Sequence, residues 1–131
     1  MSDKKILVIE DDADVRLGYQ VVLKANNYAT CFAADAMCAI SEARKQQPDL
    51  IILDLGLPAG DGWIVLEKLQ ASTQLAVIPV IVVSGRQLPG NKALALRSGA
   101  KAFLQKPWDD EELLALIEQQ VGRVPFPTAA R

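Results

Sequence analysis

Short runs of consecutive apolar residues alternate along the chain with longer stretches in which apolar positions recur every three or four residues. Lys5 to Ile9 reads as a buried strand, and Val15, Tyr19, Val22 and Leu23 then fall on one face of a helix. Asn26-Asn27 punctuates the end of that helix. Tyr28 to Ala33 predicts a second strand, and Asp35 can cap a helix whose apolar side is Ala36, Ala39, Ile40 and Ala43, before Pro48 ends the unit. Leu50-Ile51-Ile52-Leu53 is apolar at every position, the pattern of a strand covered on both faces, so the sheet is expected to be parallel and this strand central. After a loop bearing Pro58, Gly60 and Gly62, a third helix is marked by Val65, Leu66 and Leu69. Val77 to Val83 predicts a fourth strand, with Pro79 near its start. Pro89-Gly90 delays a fourth helix, which runs from about Asn91 to Ser98 and stops at Gly99. Ala102 to Gln105 gives the fifth strand. Trp108 to Val121 closes the pattern as a helix, with Asp109, Asp110, Glu111 and Glu112 near its positive end and Leu113, Leu116, Ile117 and Val121 inside.

The alternation predicts an α/β fold, a doubly wound parallel sheet of five βα units with right-handed crossovers and helices on both faces. Ligands in such folds bind beyond the carboxyl ends of the strands, where strand order reverses. Five polar side chains fall at the ends of these apolar segments: Glu10 and Asp11, then Asp54, Ser84 and Lys106. In a parallel sheet they converge at one edge.

The length of 131 residues, half of them apolar, fits one domain with an ordinary core. A formal charge of −2, with acidic and basic residues interspersed, argues against nucleic acid as a direct partner, because no basic run is present to neutralise phosphates. Met1 to Lys5 is polar and no stretch approaches the roughly 20 apolar residues that span a bilayer, so no membrane association and a cytoplasmic location are expected. Cys31 and Cys38 match no CxxC spacing, and with no histidine the common zinc sites lack ligands; both are read as buried small hydrophobes.

Three carboxylates on neighbouring loops repel one another, by about 4 kcal/mol for two unit charges roughly 4 Å apart at an effective dielectric near 20. A cation relieves this, and oxygen-only ligands suit Mg²⁺ or Mn²⁺ with open positions for water and phosphate oxygens. The constellation points to phosphate chemistry.

Across Lys4 to about Val121 the chain resembles the receiver domain of two-component response regulators. The resemblance rests on Ile6-Leu7-Val8-Ile9-Glu10-Asp11-Asp12, on Asp54 with Pro58 and Asp61-Gly62, on Ser84, on Gly99-Ala100, and on Phe103 three residues before Lys106-Pro107. It implies a flavodoxin-like strand order of 2-1-3-4-5, a receiver domain over residues 4–121, and a tail or linker stub over 122–131. It further implies that Asp54 accepts a phosphoryl group from the phosphohistidine of a sensor kinase or phosphotransfer protein. Glu10, Asp11, Asp54 and the backbone carbonyl of Gly56 would hold Mg²⁺, Glu10 through water. Lys106 and Ser84 would bind phosphoryl oxygens, the Lys106-Pro107 bond would be cis, and Ser84 and Phe103 would form the switch. The surface of the fourth helix, fifth strand and fifth helix would then change its affinity for an output protein, an effector domain or a second copy of the chain. Such a domain catalyses only its own phosphorylation and dephosphorylation.

The chain departs from the commonest form of the family in using Glu-Asp rather than Asp-Asp, serine rather than threonine at 84, and phenylalanine rather than tyrosine at 103. Gly85 and Gly56 leave open access beside the site, while Arg86 could shield or pair with the phosphate, and Pro89-Gly90 suggests an altered output face. Singly, each site residue has an ordinary explanation, and Asp12 is read as a helix cap. Trp63 and Trp108 are read as packing residues. A phosphatase of the haloacid dehalogenase type wants a second acid two residues after its nucleophile, where this chain has Gly56. A flavodoxin-like phosphate binder is disfavoured by Glu10-Asp11-Asp12, which would repel the phosphate. The alternative of more weight is a degenerate receiver that binds partners without phosphate.

Overall fold

A computed structural model describes residues 4–58, 61–85 and 90–122. Five strands, β1 (Lys5–Ile9), β2 (Ala29–Ala33), β3 (Leu50–Asp54), β4 (Val80–Ser84) and β5 (Ala102–Gln105), alternate with five helices. These are α1 (Ala13–Ala25), α2 (Ala36–Gln46), α3 (Asp61–Ala71), α4 (Asn91–Arg97) and α5 (Asp110–Val121). The strands form one parallel sheet in the order β2-β1-β3-β4-β5, as the resemblance implied. Order reverses between β1 and β3, so the carboxyl ends of these neighbours face a common crevice.

The all-apolar runs are buried on both faces because successive side chains of a strand point to opposite sides. Leu7, Ile9, Ile51, Leu53, Val80 and Val82 pack with Ala39 and Ala43 of α2, Val65, Leu66 and Leu69 of α3, and Ala95 of α4. Ile6, Val8, Leu50, Ile52, Ile81 and Val83 pack with Tyr19 and Leu23 of α1 and Leu113 and Ile117 of α5. Each such side chain, fully buried, contributes roughly 1.5–3 kcal/mol of transfer free energy.

Caps set where the helices begin. Asp12 accepts from the backbone N–H groups of Asp14 and Val15, and Asp35 from that of Cys38. Trp108, expected as the first residue of the last helix, lies outside α5, whose N-cap is Asp109, accepting from Glu111 N–H.

Several boundaries differ from the sequence reading. Val77 and Ile78 belong to a turn, not to β4: Ala76 N–H donates to Ser72 O at 2.8 Å and Ile78 N–H to Leu75 O at 3.0 Å, and Val77 is exposed. Local turn bonds satisfy the backbone there, and the ladder begins only at Pro79, whose carbonyl accepts from Ile51 N–H. Tyr28 precedes β2 because its N–H donates to Leu23 O and closes the end of α1. Asp54 and Ser84 are the last residues of their strands rather than the first beyond them. Cys31 is half-buried but Cys38 is exposed in the first turn of α2, so the expectation of two buried cysteines fails for Cys38. Arg86, Pro89, Gly60 and residues 123–131 of the expected 122–131 tail lie outside the described residues.

Candidate functional site

The carboxyl ends of β1, β3 and β4 and the segment after β5 open into a cavity of about 720 Å³. Glu10, Asp11, Asp54, Gly56, Ser84 and Lys106 all line it, so the topology brings together the polar residues named from the sequence. Phe103 lies elsewhere, half-buried against the core beneath α2, α3 and α4.

Backbone bonds extend the sheet order into the loops. Glu10 N–H donates to Ala33 O, Leu55 N–H to Val83 O, and Lys106 N–H to Ser84 O at 2.9 Å. The Arg16 guanidinium donates to Glu10 O at 2.8 Å, holding that backbone from one turn along α1. The Lys106-Pro107 peptide is cis. Gly62 allows α3 to approach the end of β3, since a Cβ there would lie 2.6 Å from Leu55 Cα and 2.8 Å from Asp54 O.

Lys106 binds two carboxylates at once: its Nζ donates to Glu10 Oε1 at 2.9 Å and to Asp54 Oδ2 at 3.1 Å. The remaining oxygens are also engaged, Glu10 Oε2 by Asp12 N–H at 3.2 Å and Asp54 Oδ1 by Gly56 N–H at 2.8 Å. Glu10, Asp54 and Ser84 are buried, while Asp11 is exposed at the mouth. Burial pushes the Glu10 carboxyl up from its ordinary value and the Asp54 carboxylate adds to this, against the opposing pull of Lys106 and the Asp12 N–H. Burial alone would lower Lys106, but its bonds to Glu10 and Asp54 outweigh that and raise it, so it stays cationic.

One carboxylate oxygen from each of Glu10, Asp11 and Asp54 lies within 4.8 Å of the others. Three hard, anionic oxygen donors at this spacing, with open cavity beside them, fit a Mg²⁺ or Mn²⁺ ion that retains waters.

Sequence reasoning did not place Trp63 or Asn91 at the site, yet both line the same cavity. Trp63 follows the Asp61-Gly62 pair at the start of α3, a position it shares with core packing. Nothing local to Asn91 marks it, because its placement depends on how the chain returns from β4 to α4. Trp108 stacks on Tyr19 with ring centroids 4.7 Å apart, in agreement with a packing role.

Residues 6–118 match the receiver domain family of response regulators, and the chain belongs to that family. It is 36% identical over 124 residues to the KDP operon transcriptional regulatory protein KdpE of Escherichia coli, covering 95% of this chain and 54% of that protein. It is 37% identical over 114 residues to the response regulator PleD of Caulobacter vibrioides, covering 86% of this chain and 25% of that one. The chain thus spans about half the length, or less, of these relatives. Among solved structures, a response regulator from Chloroflexus aurantiacus shares the fold with a TM-score of 0.86 at 24% identity, covering 93% of this chain and all of that one. The receiver domain of the sensor histidine kinase PA1611 from Pseudomonas aeruginosa, with a magnesium ion coordinated in its active-site cleft, has a TM-score of 0.83 at 26% identity, covering 92% and 99%. The recognised family and the 2-1-3-4-5 fold therefore stand as read.

Proposed function

We propose that this receiver domain accepts a phosphoryl group on Asp54 from the phosphohistidine of a sensor kinase or phosphotransfer protein. The observation that carries the reading is the Lys106 ammonium held 3.1 Å from Asp54 and 2.9 Å from Glu10 where three carboxylates meet. An Asp54 carboxylate oxygen attacks phosphorus, the P–N bond to the donor imidazole breaks with its electron pair left on nitrogen, and an acyl phosphate forms. Water attack on the same phosphorus later returns inorganic phosphate and the free carboxylate. The domain catalyses only these two steps on itself.

Phosphoryl transfer asks a protein for alignment and for positive charge where the transferring oxygens spread theirs. Lys106 supplies one such charge, and Ser84 offers a hydroxyl from the neighbouring strand end. Glu10, Asp11, Asp54 and the Gly56 carbonyl would hold Mg²⁺ or Mn²⁺, and such an ion, when bound, neutralises charge on the transferring oxygens. Phosphorylation adds charge and strong acceptors beside Ser84, biasing Ser84 and Phe103 between two arrangements. The output is read on α4, β5 and α5, where Leu94 and Leu96 are exposed, by an effector domain, an output protein or a second copy of the chain. A partner that prefers the phosphorylated arrangement must in turn favour phosphorylation. Signalling of this kind fits a cytoplasmic location and needs no direct nucleic-acid contact by this domain.

The test is intact mass after incubation with Mg²⁺ and a small acyl-phosphate donor, with Asp54→Ala as control. The expected result is a gain of one phosphoryl group, abolished by EDTA and by the substitution. No gain under conditions that preserve an acyl phosphate would favour a phosphate-independent interaction module instead.

A further inference from the structure

Asn91 is the first residue of α4 and lines the cavity that holds Asp54, Ser84, Gly85 and Lys106. It is half-buried there. Helix capping does not account for it: the N-cap is Gly90, at φ 87°, which offers no side chain to the helix N–H groups. Among the described residues no hydrogen bond engages its carboxamide. A carboxamide has two N–H donors, and a phosphoryl group presents three strongly accepting oxygens, more capacity than Lys106, Ser84 and one cation fill.

We infer that the Asn91 side-chain amide donates a hydrogen bond to the phosphoryl group on Asp54, making Asn91 a further phosphoryl-binding residue and giving α4 its own contact with the modified aspartate. The inference rests on the phosphoacceptor reading. It differs from the Ser84 and Phe103 switch in route, because Asn91 is itself part of α4, the helix that exposes Leu94 and Leu96. The contact forms at the helix that must report phosphorylation, with no intervening strand.

The test uses the whole chain, Mg²⁺, and beryllofluoride as an unreactive phosphoryl mimic, with affinities measured by calorimetry for wild type, Asn91→Ala and Asn91→Asp. Losing the donor should weaken beryllofluoride binding about ten-fold in Asn91→Ala, equivalent to about 1.4 kcal/mol. The Mg²⁺ affinity, measured alone, should stay within about two-fold, since Asn91 is not among the cation's ligands. Asn91→Asp separates a binding role from a structural one. A carboxylate in the first turn favours a helix, so a structural role predicts a variant as stable as wild type, or more so, that binds the mimic normally. The binding role predicts equal or greater thermal stability together with the weakest beryllofluoride binding of the three, because an acceptor and a negative charge replace the donor. Wild-type affinity in both variants would overturn the role of Asn91 and leave the phosphoacceptor reading intact. No binding of the mimic by wild type in Mg²⁺ would overturn both.

Discussion

Replacing Lys106 by methionine removes the only ammonium bound to Glu10 and Asp54 among the described residues and leaves two buried carboxylates facing each other. At the observed separations of 2.9 and 3.1 Å, the two attractions amount to about 5–6 kcal/mol each at an effective dielectric near 20. Desolvation of the three groups and the loss of lysine side-chain entropy offset much of this, so the gross figures are not the net effect. What remains after the substitution is repulsion between acids whose oxygens lie within 4.8 Å, about 3–4 kcal/mol at the same dielectric. Breaking a buried pair by deleting one partner generally costs 3–5 kcal/mol, in the same range. The assay is urea unfolding in EDTA and again in millimolar Mg²⁺. In EDTA, Lys106→Met should lose about 3 kcal/mol or more relative to wild type. In Mg²⁺ it should recover most of that loss, because the ion takes over the charge compensation, and it should gain more from Mg²⁺ than wild type does. Wild-type stability of the variant in EDTA, or a loss that Mg²⁺ does not relieve, would refute the view that Lys106 compensates the carboxylate pair at a cation site.

Tyr19 has a buried hydroxyl with no hydrogen-bond partner among the described residues, so Tyr19→Phe should match or exceed wild type by up to about 1 kcal/mol in urea unfolding; a loss of more than about 1 kcal/mol would show that the hydroxyl is engaged. Gly62→Ala should cost about 1–3 kcal/mol in the same assay, because its Cβ would sit 2.6 Å from the Leu55 backbone, and a neutral effect would mean that α3 can shift away from β3. Burial pushes the Cys31 thiol up to about 11, so in a Cys38→Ser variant alkylation of Cys31 should keep rising ten-fold per pH unit through pH 10; a plateau near the ordinary value of 9 would contradict this.

The sheet was legible because Leu50 to Leu53 and Val80 to Val83 are apolar at every position, as strands covered on both faces require, and because Asp12 and Asp35 stand where caps are needed. The convergence of Glu10, Asp11, Asp54, Ser84 and Lys106 followed from topology, as each sits at a strand end or just past one. Other features are set by contacts between segments distant in sequence. Val77 and Ile78 carry a strand-like composition, but the turn bonds that Ala76 and Ile78 N–H donate to the Ser72 and Leu75 carbonyls hold this segment out of the strand. Cys38 is exposed because Asp35 fixes the start of α2 and so decides which face Cys38 occupies. No periodicity shows that Lys106 binds Glu10 as well as Asp54, because that bond joins the ends of β5 and β1, with β3 and β4 between them. Asn91 is hidden for a related reason: it reaches the cavity only through the return of the chain from β4.

The central claim is that Asp54 itself carries the phosphoryl group. Borohydride reduces an aspartyl phosphate to homoserine but leaves a free carboxylate unchanged, so peptide mass mapping of protein treated with acyl-phosphate donor and Mg²⁺, then reduced, reads the modified residue directly. The account predicts homoserine at position 54 and at no other aspartate, dependent on Mg²⁺. Homoserine at Asp11 or Asp12, or an unmodified Asp54 in protein shown to bind Mg²⁺, would contradict it.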